Sequence, residues 1–224
     1  MPPAGINLLR SLHQRFKQVL GASWHISRSR DRLISAMKKL MIRFGLGGCA
    51  LVALYFSCIG IQQFVFGNVH AVIPGELYRS AQLSAAQIEA MRRRYGINSI
   101  INLRGDNVGK AWYDQEIEAS RRLGITHMDF RMKSSRVLDY ARAQELLALM
   151  RNAPKPLLVH CAAGADRTGL ASALYLAEIA GKDEKLAESQ LSLRYGHISF
   201  WWSESYAMDH TFENFEPAMG FCGS

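Results

Sequence analysis

A stretch of nine residues, HCAAGADRT at positions 160–168, holds the side chains of this sequence that are best suited to phosphate-ester chemistry. Five residues separate Cys161 from Arg167. A cysteine thiolate is a strong nucleophile, and the planar guanidinium of an arginine can hold two phosphoryl oxygens at once. The spacing therefore indicates a site where Cys161 attacks a phosphoryl group and Arg167 binds the oxygens of the transition state.

The flanking sequence predicts how this stretch is held. The apolar run PLLVH at 156–160 predicts a buried strand, and the apolar pattern at 168–180 predicts a helix. A tight loop between a strand and a helix N-terminus directs backbone N–H groups and the helix dipole to one point, which favours a bound phosphate and a thiolate. Glycine within the loop permits a turn that a side chain would obstruct. The predicted phosphate cradle comprises Ala162, Ala163, Gly164, Ala165 and Thr168, and His160 supports the loop from the strand.

Short strands alternate with amphipathic helices on both sides of this loop. The pattern predicts strands at 76–79, 98–103, 125–130 and 156–160, and helices at 85–95, 112–123, 140–152, 168–180 and 184–195. Ser84 and Asp139 are the predicted N-caps of the first and third of these helices. Strands spaced by helices predict an α/β fold with a central, mostly parallel sheet flanked by helices.

The positive charge of the chain is confined to its N-terminal part. The net charge is +8, and residues 1–43 contain nine basic side chains and a single acidic one, Asp31. Residues 44–66 carry no charge, and the remainder of the chain has equal numbers of basic and acidic residues. Because the folded part has no net positive charge, we expect no nucleic-acid partner.

The uncharged segment Phe44–Phe66 is long enough, as a helix, to cross a bilayer. With the cationic residues before it, the segment predicts a transmembrane helix or signal anchor whose N-terminal side is cytoplasmic. The predicted organisation is a basic cytoplasmic tail at 1–43, the membrane segment at 44–66 and an extracytoplasmic domain at 67–224, in the inner membrane. Two alternatives stay open, namely a cleaved secretory signal that starts at Met37 and a buried core helix.

The motif HCAAGADRTG resembles the signature loop of the cysteine-dependent protein tyrosine and dual-specificity phosphatases. The order IPGELYRSAQ, INLRGDN, HCAAGADRTG and LRYGH resembles the small dual-specificity-like members of bacteria, fungi and plants, over about residues 72–198. The resemblance implies a phosphatase domain at 67–224, a phosphocysteine intermediate on Cys161, phosphate binding by Arg167, and no metal or other cofactor. The chain also contains no CxxC or HExxH motif.

The general acid is the least determined part of the predicted site. The family resemblance implies an aspartate about 30 residues before the cysteine, and Asp129 has that spacing, although its surroundings predict a strand. The following loop, 131–138, contains no acidic residue, and Asp139 is better explained as a helix cap. Some relatives carry an acid within the signature loop, where this chain has Asp166, and we therefore favour Asp166. Arg104, after a buried strand, is a candidate for lining the pocket.

The sequence thus predicts a membrane-anchored phosphatase that hydrolyses phosphate monoesters. The loop has alanine side chains and no lysine, which favours a singly phosphorylated group on either a tyrosine of a protein, a phospholipid or a small molecule. Two alternatives stay open: a catalytically silent module that binds phosphorylated ligands, and a rhodanese-like sulfur-transfer enzyme, which also presents a cysteine at the start of a helix.

Overall fold

The computed structural model describes residues 38, 41, 43–58, 60–61 and 66–221. The chain divides between Phe56 and Ser57 into two units. Residues 38, 41, 43–58, 60 and 61 are helical, and the continuous described stretch 43–58 is called α1. Within the described ranges, no helix combines the length and the apolar character that crossing a bilayer requires. The predicted basic tail lies largely outside the described residues, as do residues 59 and 62–65 of the predicted membrane segment.

A five-stranded sheet forms the centre of the second unit, in the order β1-β2-β5-β3-β4. Strand β1 pairs with β2 in antiparallel orientation, and the other three pairs are parallel. The predicted α/β fold with a mostly parallel sheet is confirmed, whereas strand β1 was not predicted. The strands are β1 His70–Ile73, β2 Leu77–Ser80, β3 Ser99–Asn102, β4 Thr126–Asp129 and β5 Leu157–His160.

Six helices of the described residues pack around this sheet. Ser84 and Gln87 form the predicted capping box of the first, and Asp139 caps the third by accepting from the backbone N–H of Arg142 at 2.9 Å. The helices are α2 Ala85–Tyr95, α3 Ala111–Leu123, α4 Tyr140–Asn152, α5 Asp166–Glu178, α6 Glu184–Glu188 and α7 Tyr206–Phe215.

The predicted continuous helix from 184 to 195 is wrong. Helix α6 stops at Glu188, and a 3₁₀-helix follows at Leu193–Tyr195. Beyond Glu188 the backbone N–H groups of Gln190 and Leu191 donate to the carbonyls of Ala187 and Glu188, at 3.1 and 2.8 Å. These bonds span three residues and not four, so that the α-helix is not continued. The carbonyl of Gln190 accepts from the guanidinium of Arg79 at 2.8 Å, a contact between distant elements that local sequence pattern does not reveal.

The two faces of strand β5 contact two separate hydrophobic clusters. Leu157 and Val159 belong to the cluster that includes buried residues of α4, α5 and α7, whereas Leu158 packs with buried residues of α2 and α3. All four residues of β5 are buried, as expected for a central parallel strand covered on both faces. This packing fixes the strand whose end leads directly into Cys161.

The carboxyl ends of the parallel strands meet at one edge of the sheet, in a row of polar residues. His160 of β5 is in register with Ser80 of β2 and with Asn102 of β3, and Asn102 is in register with Asp129 of β4. Each of these residues lies at the last position of its strand. Ligand sites of parallel α/β sheets form at this edge, and here the row lies one residue before the loop that begins at Cys161.

Candidate active site

Cys161 lies at the base of the loop between β5 and α5. The residue is 3% exposed, and the backbone N–H of Gly164 donates to its sulfur with an N–S distance of 3.3 Å. Helix α5 begins at Asp166, so that its unpaired N-terminal N–H groups and its positive dipole end lie just beyond the loop. This environment favours negative charge on the sulfur and on a bound phosphate.

Donors from outside the loop hold four successive backbone carbonyls. The backbone N–H of Gln82 donates to the carbonyl of residue 162 at 3.1 Å, and the side chain of Asn68 donates to that of residue 163 at 3.0 Å. Arg79 Nη2 donates to the carbonyls of residues 164 and 165, at 2.9 and 3.3 Å. In a trans peptide the N–H points away from the preceding C=O. Because these carbonyls face outward, the N–H groups that follow them are free to face the cradle.

Arg79 is the central support of this arrangement. The residue is fully buried, its Nη1 also donates to the backbone and side-chain oxygens of Gln190 at 2.8 and 2.9 Å, and its guanidinium lies 3.8 Å from the ring centroid of Tyr195. Burial lowers the pKa of Arg79 to about 10, so that it stays charged at neutral pH. The sequence analysis missed this role; the only signal was the position of Arg79 within the LYRSAQ motif.

Gly164 meets the predicted need for a residue without a side chain. Its φ is +72°, and a Cβ built on it would lie 2.6 Å from the backbone nitrogen of Ala81 and from the carbonyl carbon of Ser80. The positive φ and the close approach of β2 each make any other residue at this position energetically costly. The loop is therefore packed directly against the end of strand β2.

Arg167 and Thr168 occupy the first turn of α5, next to the loop. Arg167 Nη1 donates to the carbonyl of Met132 at 3.4 Å. Its Nε and the hydroxyl of Thr168 are buried and have no hydrogen-bond partner among the described residues. Both groups are donors, and a phosphate in the cradle offers acceptor oxygens. The structure thus brings all the predicted loop residues together, while their individual roles in catalysis stay predictions.

His160 takes part in a buried cluster that sequence reasoning did not find. Glu116 of α3 is 2% exposed, and its Oε1 lies 3.1 Å from His160 Nε2 and 2.8 Å from His127 Nε2. Its Oε2 accepts from the side chain of Gln82 at 2.5 Å. Burial opposes ionisation of Glu116, but His160 and His127 lower its pKa to about 2. The charged Glu116 therefore orients His160, whose supporting role for the loop stays a prediction.

Arg104 lies at the margin of the site. Its Nη1 donates to the side-chain oxygen of Gln82 at 2.9 Å, and its guanidinium stacks 3.5 Å above the ring of Trp112. Burial lowers the pKa of Arg104, and the positive charge of Arg167 lowers it further. Arg104 thus adds positive potential near the cradle.

The carboxylates of Asp129 and Asp139, the other two candidates for the general acid, both have hydrogen-bond partners within the fold. Asp129 lies at the end of β4, two strands away from β5, which corresponds to about 10 Å. Its carboxylate accepts from the side-chain amide of Asn102 at 2.8 Å and from the hydroxyl of Tyr113 at 2.6 Å. Asp139 is engaged as the N-cap of α4. Both carboxylates thus have structural partners, and a catalytic role of Asp129 stays a prediction.

Asp166 lies within the loop and bonds to a histidine that the sequence analysis assigned no function. His197 Nδ1 is 2.7 Å from Asp166 Oδ1, and His197 Nε2 is 3.0 Å from Asp209 Oδ2. His197 is 2% exposed, whereas the side chain of Asp166 is 32% exposed. A partly accessible carboxyl group of the loop is therefore connected to a buried histidine behind it.

Residues 63–190 match the family model of the tyrosine phosphatase family, over more than half of the chain. This chain belongs to the tyrosine phosphatase family. The resemblance drawn from the motifs is confirmed. The dual specificity protein phosphatase TpbA of Pseudomonas aeruginosa is 34% identical over 125 residues, which are 55% of this chain and 53% of that protein. The match with this curated phosphatase thus spans only about half of its length.

Solved structures of other phosphatases share the fold. The core catalytic domain of the PP-IP phosphatase SIW14 from S. cerevisiae, in complex with citrate, has a TM-score of 0.51 and 16% identity, over 70% of this chain and 94% of that one. A putative phosphatase from Shewanella putrefaciens has a TM-score of 0.51 and 15% identity, over 69% of this chain and 98% of that one. At such identities the similarity establishes the α/β fold.

Proposed function

We propose that this member of the tyrosine phosphatase family hydrolyses phosphate monoesters through a phosphocysteine intermediate on Cys161. The observation that carries the proposal is that hydrogen bonds from outside the loop keep four successive loop carbonyls directed away from the cradle. Beside them lies a buried cysteine whose sulfur accepts from the backbone N–H of Gly164 at 3.3 Å. Such a cradle serves a tetrahedral dianion and a thiolate equally well, because both are stabilised by converging N–H groups.

The reaction follows from the placement of three side chains. The Cys161 thiolate attacks phosphorus from the base of the cradle, and the phosphoryl oxygens are held by loop N–H groups and Arg167 as charge builds up on them. The hydroxyl of Thr168, buried without a partner among the described residues, is placed in the same turn to stabilise the sulfur when water displaces it. Hydrolysis of the phosphocysteine then returns the thiolate.

The loop side chains favour a substrate with a single phosphate at the reacting position. Ala162, Ala163 and Ala165 contribute only methyl groups, so no lysine is present in the loop to bind a second phosphate. Phosphotyrosine is supported by the family, whose curated relative is called a dual specificity protein phosphatase. A phospholipid monoester is the second candidate, because the proposed membrane segment would bring the domain to a bilayer.

Membrane anchorage through Phe44–Phe66 is part of this proposal, with the N-terminus in the cytoplasm and the catalytic domain outside the inner membrane. It is supported by the uncharged segment and the basic residues before it.

Topology is tested with reporters fused after residue 224. A reporter that is active only in the periplasm should work, and the protein should sediment with membranes. Activity of only a cytoplasm-requiring reporter would contradict the orientation. Recovery of the domain in the soluble periplasmic fraction would instead support the cleaved signal that begins near Met37.

The activity is tested on the full chain with an aryl phosphate, a phosphotyrosine peptide, a phospholipid monoester in vesicles and thiosulfate. We expect turnover of the phosphate esters and its loss in Cys161→Ser, because a hydroxyl stays protonated where a thiol ionises. Arg167→Lys should lose most activity, since one ammonium cannot replace the planar fork. Binding of the phosphopeptide without turnover would support the silent module, and sulfur transfer from thiosulfate would support the rhodanese-like alternative.

A further inference from the structure

A line of hydrogen bonds leads from the phosphate loop into the protein interior. Asp166, in the first turn of α5, contacts His197 through Oδ1 at 2.7 Å, and the other ring nitrogen contacts Asp209 of α7 at 3.0 Å. The hydroxyl of Ser199 donates to the same oxygen of Asp209 at 2.6 Å, which fixes that carboxylate. The loop acid is thus tied to a second carboxylate through a single imidazole ring.

The resting geometry favours a charged imidazole. Each ring nitrogen of His197 faces a carboxylate oxygen, and with both carboxylates ionised an unprotonated nitrogen in either position would bring two acceptors together. Burial opposes the charge, but the hydrogen bonds to Asp166 and Asp209 raise the pKa of His197 to about 9. Among the described residues, these two carboxylates are the charged groups that act on the ring, one from α5 and one from α7. Burial opposes ionisation of Asp209, but its hydrogen bonds to His197 and Ser199 lower its pKa, so that Asp209 stays a carboxylate.

We propose that His197 is a positioning residue that holds the proton which Asp166 delivers to the leaving group. The inference rests on the proposed phosphatase reaction and names the proton source of that reaction. A proton source is needed because the loop at 131–138 has no acidic residue. Asp129, at the end of a strand two positions away from β5 in the sheet, is engaged by Asn102 and Tyr113.

The proton balance closes over the two steps. In the first, the bond between Cys161 sulfur and phosphorus forms, the bond from phosphorus to the leaving oxygen breaks, and that oxygen takes a proton from Asp166. Asp166 receives the Nδ1 proton of His197, which becomes neutral and keeps its Nε2–H on Asp209. In the second step, water attacks phosphorus, its proton returns through Asp166 to His197, and the sulfur leaves as a thiolate.

At rest the proton belongs to the imidazolium, which at a pKa of about 9 is about 99% protonated at pH 7. The transfer from His197 to Asp166 is therefore concerted with the transfer from Asp166 to the leaving oxygen, so that no free carboxylic acid has to accumulate. The leaving oxygen of tyrosine has a pKa of about 10, close to that of the imidazolium. Asp166 is partly exposed and can therefore contact the substrate, whereas buried His197 holds the proton until it is transferred.

The test compares the rates of His197→Gln and wild type on two substrates with different leaving groups. For an alkyl phosphate, whose leaving oxygen needs protonation, we expect kcat to fall by about 10²-fold, the low end of general acid catalysis. For p-nitrophenyl phosphate, whose leaving oxygen needs little, the fall should stay below about 3-fold. His210→Gln, at an exposed histidine of α7, is the matched control and should change neither rate.

The pH dependence separates this role from a structural one. In wild type, the rate of alkyl phosphate turnover should fall above about pH 9, which gives the pH–rate profile an alkaline limb. Asp209→Asn should move this alkaline limb to lower pH, because the ring of His197 loses one of its two carboxylate partners. Asp209→Glu should restore the limb. NMR of the imidazole nitrogens should find His197 charged up to about pH 9 in wild type, and up to a clearly lower pH in Asp209→Asn.

The outcomes distinguish the relay from the reaction on which it rests. If wild type turns over phosphate esters but His197→Gln slows both substrates equally, or NMR finds a neutral ring at pH 7, the relay is refuted and the phosphatase stands. If wild type turns over neither ester, both proposals are refuted. If His197→Gln does not fold, the pH limb and leaving-group dependence of Asp209→Asn decide, and an unchanged limb refutes the relay.

Discussion

Replacing Arg79 by methionine tests whether a buried cation outside the loop maintains the phosphate cradle. The substitution preserves a long side chain but removes the donors to three acceptors, namely the backbone carbonyls of residues 164 and 190 and the side-chain oxygen of Gln190. The carbonyl of residue 165 keeps the backbone N–H of Gly169 as a donor. Each buried acceptor left without a donor costs about 1–3 kcal/mol, so that the free energy of unfolding should fall by at least about 3 kcal/mol. For a domain of this size, Tm falls by about 2–4 °C per kcal/mol, which gives a decrease of about 6–12 °C.

Activity should fall together with stability. When the carbonyl of residue 164 is no longer held outward, the peptide group between residues 164 and 165 can turn, and the N–H of residue 165 no longer faces the cradle. Removal of one preorganised oxyanion donor costs about 10²–10³ in kcat, and we expect Arg79→Met to lose at least that much on p-nitrophenyl phosphate.

Thermal denaturation and steady-state kinetics measure these effects side by side. Arg151→Met, at an exposed arginine near the end of α4, is the matched control and should leave both Tm and kcat unchanged. A variant at Arg79 with Tm within about 2 °C of wild type and an unchanged kcat would refute the view that this guanidinium organises the loop.

Two further predictions concern the loop and its support. Gly164→Ala should lower kcat by about 10²-fold, because its Cβ would meet the backbone of Ser80 and Ala81 at 2.6 Å. The control is Gly75→Ala, where φ is +78° and nothing lies within 4 Å of the added Cβ; it should cost about 1–2 kcal/mol of stability and leave kcat intact. Equal kinetics of the two variants would contradict the steric argument. Glu116→Gln should lower Tm at pH 6, and the difference from wild type should shrink as the pH falls from 4.5 towards 2, since the lowered pKa of Glu116 stabilises the fold only where the carboxylate is ionised; a difference that does not change over this range would be inconsistent with that charge.

Local pattern was sufficient for most of the scaffold. The capping box at Ser84 and the apolar run at 156–160 predicted α2 and β5, whose bounds the structure reproduces within one or two residues. The site loop was equally accessible, because Cys161 and Arg167 lie in one short motif and their separation depends on a single turn. These features are decided by neighbours in sequence.

The supports of the loop could not be predicted in the same way. Arg79 contacts residues 85 and more positions away along the chain, and the bond between His197 and Asp166 spans 31 positions. Whether a buried arginine contacts a carboxylate or a set of carbonyls depends on the packing of distant elements, which neighbours in sequence do not determine. The antiparallel strand β1 was missed because its four residues show no marked alternation.

The central claim is that Cys161 carries the phosphoryl group, and its most direct test is to trap that species. Wild-type protein is mixed with p-nitrophenyl phosphate, quenched in denaturant within the first turnover, digested and examined by mass spectrometry. The account predicts one added phosphoryl group on the peptide that contains Cys161, a burst of p-nitrophenol of matching amplitude, and neither signal in Cys161→Ala. Turnover that proceeds with no modified Cys161 peptide, or a phosphoryl group found on another residue, would contradict the account.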